Sequence, residues 1–208
     1  MHIISNNKIL FLANGLAAVM DFGVGALIAV VISLAFDSTI TPITLLLGGI
    51  FALLPDFDVL PHILMGKEVT FDHHQTLWHR PALVLVVVGG LLYVFGTTTW
   101  CVIAVICLIY HYLHDTGWVS KATGIAWLWP FSARAFSWFG FYDQVPSDHH
   151  PWLQNYWCTP TARSVSELGI GISSLVLALH LSELDMFWYA VPCIFIGSTM
   201  FVWVHGTR

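Results

Sequence analysis

The feature of this sequence that most limits its fold is a series of apolar runs separated by short polar links. A helix needs roughly 17–25 apolar residues to cross a bilayer, and several of these runs approach that length. Six runs fit the pattern, at about 12–35, 40–56, 81–96, 98–114, 165–181 and 187–204. The composition agrees, because only 9% of the 208 residues are charged, against about a quarter in a soluble domain. The sequence therefore predicts an all-α polytopic membrane protein with about six transmembrane helices.

The basic residues predict the orientation of these helices. With six spans, all seven Lys and Arg residues fall on one side of the membrane, and the links near 36–39, 97 and 182–186 on the other side carry none. Because Lys and Arg collect on the cytoplasmic side, we expect both termini and both long loops in the cytoplasm. The chain has no basic stripe, so nucleic-acid binding is not expected.

The links between the spans predict how the helices pair and where the chain leaves the membrane. Short links join the first and second, third and fourth, and fifth and sixth spans, so each pair should form an antiparallel hairpin. One long loop, about 115–163, contains six of the ten tryptophans. Tryptophan favours the membrane interface, so we expect short helices lying on the cytoplasmic face. The whole of 1–208 is expected to form a single integral membrane domain.

Three polar groups interrupt the apolar pattern, and all three fall at the predicted cytoplasmic ends of spans. They comprise Asp56, Asp58 and His62, then Asp72, His73, His74, His79 and Arg80, then His111, His114 and Asp115. Polar groups at this depth are costly unless they are paired, hydrated or bound to a metal. Imidazole and carboxylate are natural ligands of zinc, manganese and iron, so the three groups together predict a divalent-metal site.

The spacing within these groups limits how they can bind an ion. His111 and Asp115 are four residues apart, so a continuous helix places them on one face. His74 and His79 are five residues apart, or about 140° around a regular helix. They can converge on one ion only if the segment bends, and the step from Arg80 to Pro81 favours a bend.

Several of these residues also have simpler explanations. Asp56 and Asp58 follow Pro55 and could end the second span in water. His73, His74 or Arg80 could sit at the membrane interface, and His111 could be a buried histidine with ordinary hydrogen bonds. His62 and His114 are better explained as residues outside the metal site.

Asp21 lies inside the first span, where it either hydrogen-bonds to a neighbouring helix or lines the pocket. His149 and His150 are better explained by a solvated turn than by metal binding.

Four stretches resemble a known family. They are ALLPDFD at 52–58, HQTLWHR at 74–80, HYLHD at 111–115 and GIAWLWPFS at 124–132. Their order resembles the YdjM-type family of bacterial inner-membrane proteins, which are classed as metal-dependent hydrolases. The middle stretch departs from the family box, because it keeps the spacing of the two histidines and lacks the family's Arg-Gly and final Ser. The resemblance implies a bacterial inner-membrane location and these metal ligands: Asp56, Asp58, His74, His79, His111 and Asp115.

Three functions remain open at the level of the sequence. The first is a metal-dependent hydrolase, with zinc favoured over manganese or iron, that acts on a phosphoester or other amphiphilic, lipid-like substrate at the cytoplasmic face. In it, Asp56 or Asp58 would act as general base or hold a bridging ion, and Arg80 would offset phosphate charge. The second is a metal or proton transporter, and the third is a non-catalytic membrane protein stapled by its metal. Membrane lipids are the expected partners, and the sequence does not determine the oligomeric state.

Overall fold

The computed structural model describes residues 12–13, 15–65, 73–116, 124–138, 140–142 and 160–206. Within these residues the structure is mainly helical, which confirms the all-α prediction apart from one small hairpin. The helices are α1 (Val19–Ala35), α2 (Pro42–Leu53), α3 (Leu60–Leu64), α4 (Pro81–Phe95), α5 (Thr98–Asp115), α6 (Ala162–Leu181) and α7 (Ala190–His205), and the strands are β1 (Ala135–Ser137) and β2 (Gly140–Tyr142). Short 3₁₀ turns cover Leu54–Asp58, His73–Gln75, Leu77–His79 and Met186–Tyr189.

Hydroxyl side chains set the first residues of three of the helices. Thr41 caps α2 by accepting from the backbone N–H of Thr44, and Pro42 occupies the first helical position. Thr161 caps α6 in the same reciprocal arrangement with Ser164, and Thr97 caps α5. Such caps satisfy backbone donors that the helix itself leaves unpaired, so local sequence defines where these helices begin.

Helix α1 lies at the centre of the bundle, where it packs most extensively against α6 and α2 and also contacts α5. Glycine makes these crossings close: a Cβ added to Gly171 of α6 would lie 2.5 Å from the Val19 carbonyl oxygen, and one added to Gly48 of α2 would lie 2.5 Å from the Gly25 carbonyl oxygen. Small residues at such crossings let backbones touch directly, as is common between helices in membranes. The position of α1 is therefore fixed by backbone contacts on two sides.

Two helical segments are long and apolar enough to cross a membrane within the described residues. They are Ala162–Leu181 and Met186–His205, each of 20 residues. Helices α1 and α4 are apolar but shorter, with 17 and 15 residues. Large apolar side chains on α4 and α7 face outward, including Tyr93 and Phe95, which are 76% and 82% exposed. The count of six spans stays a prediction.

The long loop differs from the expectation in the part that the structure describes. Short helices were predicted there, and this is wrong for 135–142, where β1 and β2 pair antiparallel with Ala135 opposite Tyr142. Ile125 extends the pairing through two backbone hydrogen bonds with Phe136, of 3.0 and 2.9 Å. Pro130 has no N–H with which to continue a helix, and the stretch AFSWFGFY is rich in aromatic residues that favour strands.

Candidate metal centre

Three separate segments bring polar side chains together at one end of the bundle. The 3₁₀ turn Leu54–Asp58 follows α2 and supplies Asp56. The 3₁₀ turn Leu77–His79 precedes α4 and supplies His79, and the last turns of α5 supply His111 and Asp115. Since α2 and α5 end here and α4 begins here, the three segments meet at the same face.

The segment before α4 bends, as the spacing of its histidines requires. Arg80 is extended, with φ −110° and ψ 90°, as expected for a residue before proline. A second break occurs at Thr76, whose φ of −72° and ψ of 168° separate the turn at His73–Gln75 from the turn at Leu77–His79. These two breaks place the His74 and His79 rings edge to face, with centroids 5.2 Å apart.

Four side chains converge on one point. One ligand atom from each of Asp56, His79, His111 and Asp115 lies within 4.8 Å of all the others. His111 Nε2 is 2.8 Å from Asp115 Oδ2, and His79 Nε2 is 3.4 Å from the same oxygen. Asp56 Oδ1 lies 3.5 Å from His79 Nε2 and 3.7 Å from His111 Nε2. Both histidines thus present Nε2 to the shared point.

The burial of these atoms tests whether they fit a cation. The side chains of His79 and His111 are fully buried, whereas Asp115 is 15% and Asp56 is 29% exposed. Although His111 Nε2 and Asp115 Oδ2 are close, neither atom forms a well-directed hydrogen bond with any described residue. Leaving such atoms buried and unsatisfied costs about 1–3 kcal/mol each. Two imidazoles and two carboxylates with converging lone pairs could hold a divalent cation, so the residues fit the group that the sequence predicts.

The charge around His79 shows what competes with a cation. Burial by itself lowers the pKa of the His79 imidazole, but contacts with the carboxylates of Asp115, Asp56 and Asp58 outweigh burial and raise the pKa well above its usual value. Without a cation, the site therefore favours a proton on His79. Since a ligating imidazole must be neutral, cation binding would release that proton.

Asp58 and His74 lie beside this group of four rather than in it. Asp58 Oδ2 is 3.6 Å from Nδ1 of His79, the ring nitrogen that faces away from the shared point. The same carboxylate oxygen accepts a 2.6 Å hydrogen bond from the Thr76 hydroxyl. His74 Nε2 is 3.8 Å from Asp115 Oδ2. The geometry therefore gives Asp58 the position of a group that supports His79.

The remaining predicted polar residues have more varied positions. Arg80 donates through Nη2 to the carbonyl of Gln75 at 2.9 Å, which ties it to the turn that precedes His79. The side chains of His62 and His73 are not among those described. Asp72, His149 and His150 lie outside the described residues altogether.

Asp21 and His114 are more closely tied to the site than the sequence indicated. Asp21 Oδ1 and His114 Nδ1 are hydrogen-bonded at 3.1 Å, so Asp21 does bond to a neighbouring helix, α5. Asp21 Oδ2 also lies 3.8 Å from Nδ1 of His111. Two signals pointed to this arrangement: a charged residue inside an apolar helix, and histidines three residues apart on one side of α5.

Aromatic side chains form one wall of the centre. The Tyr112 ring lies against both buried histidines, with centroid distances of 6.5 Å to His79 and 5.9 Å to His111, and its hydroxyl donates to the Trp78 carbonyl at 2.7 Å. Trp127 packs on the far side of Tyr112 and donates to the Thr116 hydroxyl at 2.9 Å. The WLWPFS stretch thus supports the site through Tyr112.

Comparison with known proteins gives a family match. No curated protein and no solved structure matches the chain significantly. A family model described as the YdjM inner membrane protein matches residues 18–187. The match runs from just before Asp21 to beyond α6, so it includes all four converging side chains. The chain belongs to the YdjM inner membrane protein family.

Proposed function

We propose that this protein is a membrane-embedded, metal-dependent hydrolase that acts on a phosphoester or another amphiphilic substrate at the cytoplasmic face. The observation that carries the proposal is the convergence of Asp56, His79, His111 and Asp115 from three chain segments. Three of these side chains are largely or fully buried, and His111 Nε2 and Asp115 Oδ2 face each other at 2.8 Å without a well-directed hydrogen bond among the described residues.

The membrane arrangement is part of the proposal. A single domain with six spans, both termini in the cytoplasm and a bacterial inner-membrane location is supported by the sidedness of the Lys and Arg residues. The two long apolar helical segments and the outward-facing apolar side chains of α4 and α7 also support it. Membrane lipids are then the immediate partners, and a substrate with a lipid tail could reach the site without leaving the bilayer.

The donor set favours zinc over manganese or iron, because zinc binds imidazole nitrogen and carboxylate oxygen in four-coordinate sites. His79, His111 and Asp115 would form the buried part of the ligand set. Asp56 is the most exposed of the four, so it lies where substrate and water would enter. When bound, the cation would supply Lewis-acid activation of a phosphoryl group and of water.

The protein side chains then divide the remaining work. Asp56 would accept a proton from the attacking water, because it is the only one of the four that is more than one-fifth exposed. Asp58 would hold His79 in place by its charge and through the Thr76 hydroxyl, which is hydrogen-bonded both to Asp58 and to Nδ1 of His79. Arg80, bound to the carbonyl of Gln75 beside the site, would offset phosphate charge.

The first experiment measures metal and activity on the same detergent-purified protein. Metal content by mass spectrometry is compared between wild type, His111→Ala and Asp115→Ala, with His180→Ala, an exposed histidine near the far end of α6, as the matched control. Hydrolysis of p-nitrophenyl phosphate and of phosphatidate in mixed micelles is measured in parallel. We expect near-stoichiometric metal and phosphate release in wild type and in the control, and loss of both in the two site variants.

The other outcomes separate the competing functions. Stoichiometric metal binding without hydrolysis of either substrate would favour a structural metal that only holds the three chain segments together. Metal-dependent uptake of protons or zinc by proteoliposomes, again without hydrolysis, would favour a transporter. Wild-type protein that binds no metal after reconstitution would overturn the proposal.

A further inference from the structure

Asp21 is a carboxylate that the hydrolase proposal leaves unused. It lies in the apolar helix α1 and is only 3% exposed. A buried charge in such a position is costly unless it has partners. Its partners include two histidines of α5: Oδ1 is hydrogen-bonded to His114 at 3.1 Å, and Oδ2 contacts Nδ1 of His111 at 3.8 Å. The Tyr110 side chain of α5 also interacts with this carboxylate.

The contact with His111 resembles the arrangement around His79, where Nδ1 also has a hydrogen bond with the Thr76 hydroxyl. Asp58 Oδ2 lies 3.6 Å from Nδ1 of His79, and Asp21 Oδ2 lies 3.8 Å from Nδ1 of His111. In both cases Nε2 faces the shared point of the four ligands. A neutral imidazole carries its proton on one nitrogen only, so a carboxylate that accepts from Nδ1–H leaves the Nε2 lone pair for a cation.

His111 has a particular need for this support. Its side chain is fully buried, and Nδ1 forms no hydrogen bond with any described residue at the present separation. The carboxylate of Asp21 is the group within ion-pair distance of that nitrogen.

We propose that Asp21 is a positioning residue that holds the Nδ1–H of His111, and so fixes the tautomer and the ring direction with which His111 would bind a divalent cation. The inference rests on the proposed metal centre. It assigns a role to α1, which contributes none of the four ligands.

The surroundings of Asp21 keep it in place. His114, which holds its other oxygen, also contacts Glu167 of α6 at 4.0 Å. Glu167 in turn accepts a 2.8 Å hydrogen bond from Arg163. Two residues beyond Asp21, the backbone of α1 crosses that of α6 at Gly23. The carboxylate is therefore anchored both by its own contacts and by the crossing of two helices.

The test compares zinc affinity among full-length variants in detergent, by competition with a chromophoric chelator. Asp21→Asn removes the charge and keeps the shape. The double variant Asp21→Leu with His114→Leu replaces the hydrogen-bonded pair by apolar groups, which is often nearly neutral for folding. Ser33→Ala is the control, since Ser33 is a buried polar residue further along the same helix. Binding of cobalt(II) to each variant, followed by its visible absorption spectrum, reports the geometry of the ligand set.

We expect both Asp21 variants to bind one zinc ion about 10- to 100-fold more weakly than wild type, the usual effect of removing a group that supports a ligating histidine. Their cobalt spectra should shift, and Ser33→Ala should match wild type in both measurements. Wild-type zinc affinity and an unchanged cobalt spectrum in the double variant would overturn the inference, even if Asp21→Asn does not fold. If wild-type protein binds zinc and His111→Ala does not, the metal centre stands whichever way the Asp21 result falls.

Discussion

Replacing Asp115 by Asn tests the metal centre most directly, because one oxygen of Asp115 lies close to three histidines. Its Oδ2 lies 2.8 Å from His111 Nε2, 3.4 Å from His79 Nε2 and 3.8 Å from His74 Nε2. The change keeps the size of the side chain and removes one anionic ligand of the four. Any loss of metal therefore reflects coordination rather than a change in packing volume.

The size of the effect follows from the number of ligands. Four-ligand zinc sites bind with roughly 10–16 kcal/mol, so one ligand in four contributes about 2.5–4 kcal/mol. At 1.4 kcal/mol for each factor of ten, Asp115→Asn should weaken zinc binding roughly 100- to 1,000-fold. Competition with a chelator of known affinity measures this range directly.

A matched variant controls for the loss of a carboxylate. Asp185 is an exposed aspartate just beyond the far end of α6, and Asp185→Asn should leave zinc affinity unchanged. If folded Asp115→Asn binds zinc with an affinity within about threefold of wild type, Asp115 is not a zinc ligand, and the four-ligand assignment is wrong.

Three further predictions follow from the same geometry. Because the pKa of His79 is raised, protons compete with the cation for its imidazole through the neutral range. Zinc affinity should therefore fall as pH drops from about 8 to about 6. Chelator competition at several pH values measures this, and a constant affinity would contradict it. Gly171→Ala should lower the free energy of unfolding in detergent by about 1–3 kcal/mol, because its Cβ would lie 2.5 Å from the Val19 carbonyl oxygen. Gly197→Ala is the control, since nothing lies within 4 Å of the added Cβ. Equal unfolding temperatures for the two variants would contradict the close crossing. Measured with enough zinc to saturate the variant, Asp56→Asn should lower kcat for phosphoester hydrolysis about 10²- to 10⁴-fold. Full activity under those conditions would remove Asp56 as the proton acceptor.

The sequence predicted which residues lie in the site better than it predicted how their side chains are arranged. The three polar segments do meet, and the i, i+4 spacing of His111 and Asp115 on a continuous helix brings their side chains together. Asp56 and Asp58 could not be separated in advance, because they lie in one short turn. In a 3₁₀ turn of three residues per turn, they point about 120° apart, so only one of them faces the centre.

Other features depend on contacts that no local pattern encodes. The partners of Asp21 are set by how α1 packs against α5 and α6. Part of this packing depends on the close approach of Gly23 to Gly171 on α6, which the residues around Asp21 do not predict. The hairpin of β1 and β2 was missed because the tryptophans of the long loop were assigned to the membrane interface. One tryptophan of that loop, Trp127, instead packs against Tyr112.

The glycine crossings of α1 have a mechanical consequence. Contacts between side chains can readjust through changes of rotamer, but contacts between backbones, such as those of Gly25 with Gly48 and of Gly23 with Gly171, have no such freedom. The distances from α1 to α2 and from α1 to α6 are therefore fixed. A change in bilayer thickness would be absorbed by tilting of the outer helices, while the distances of α1 from α2 and α6 stay constant.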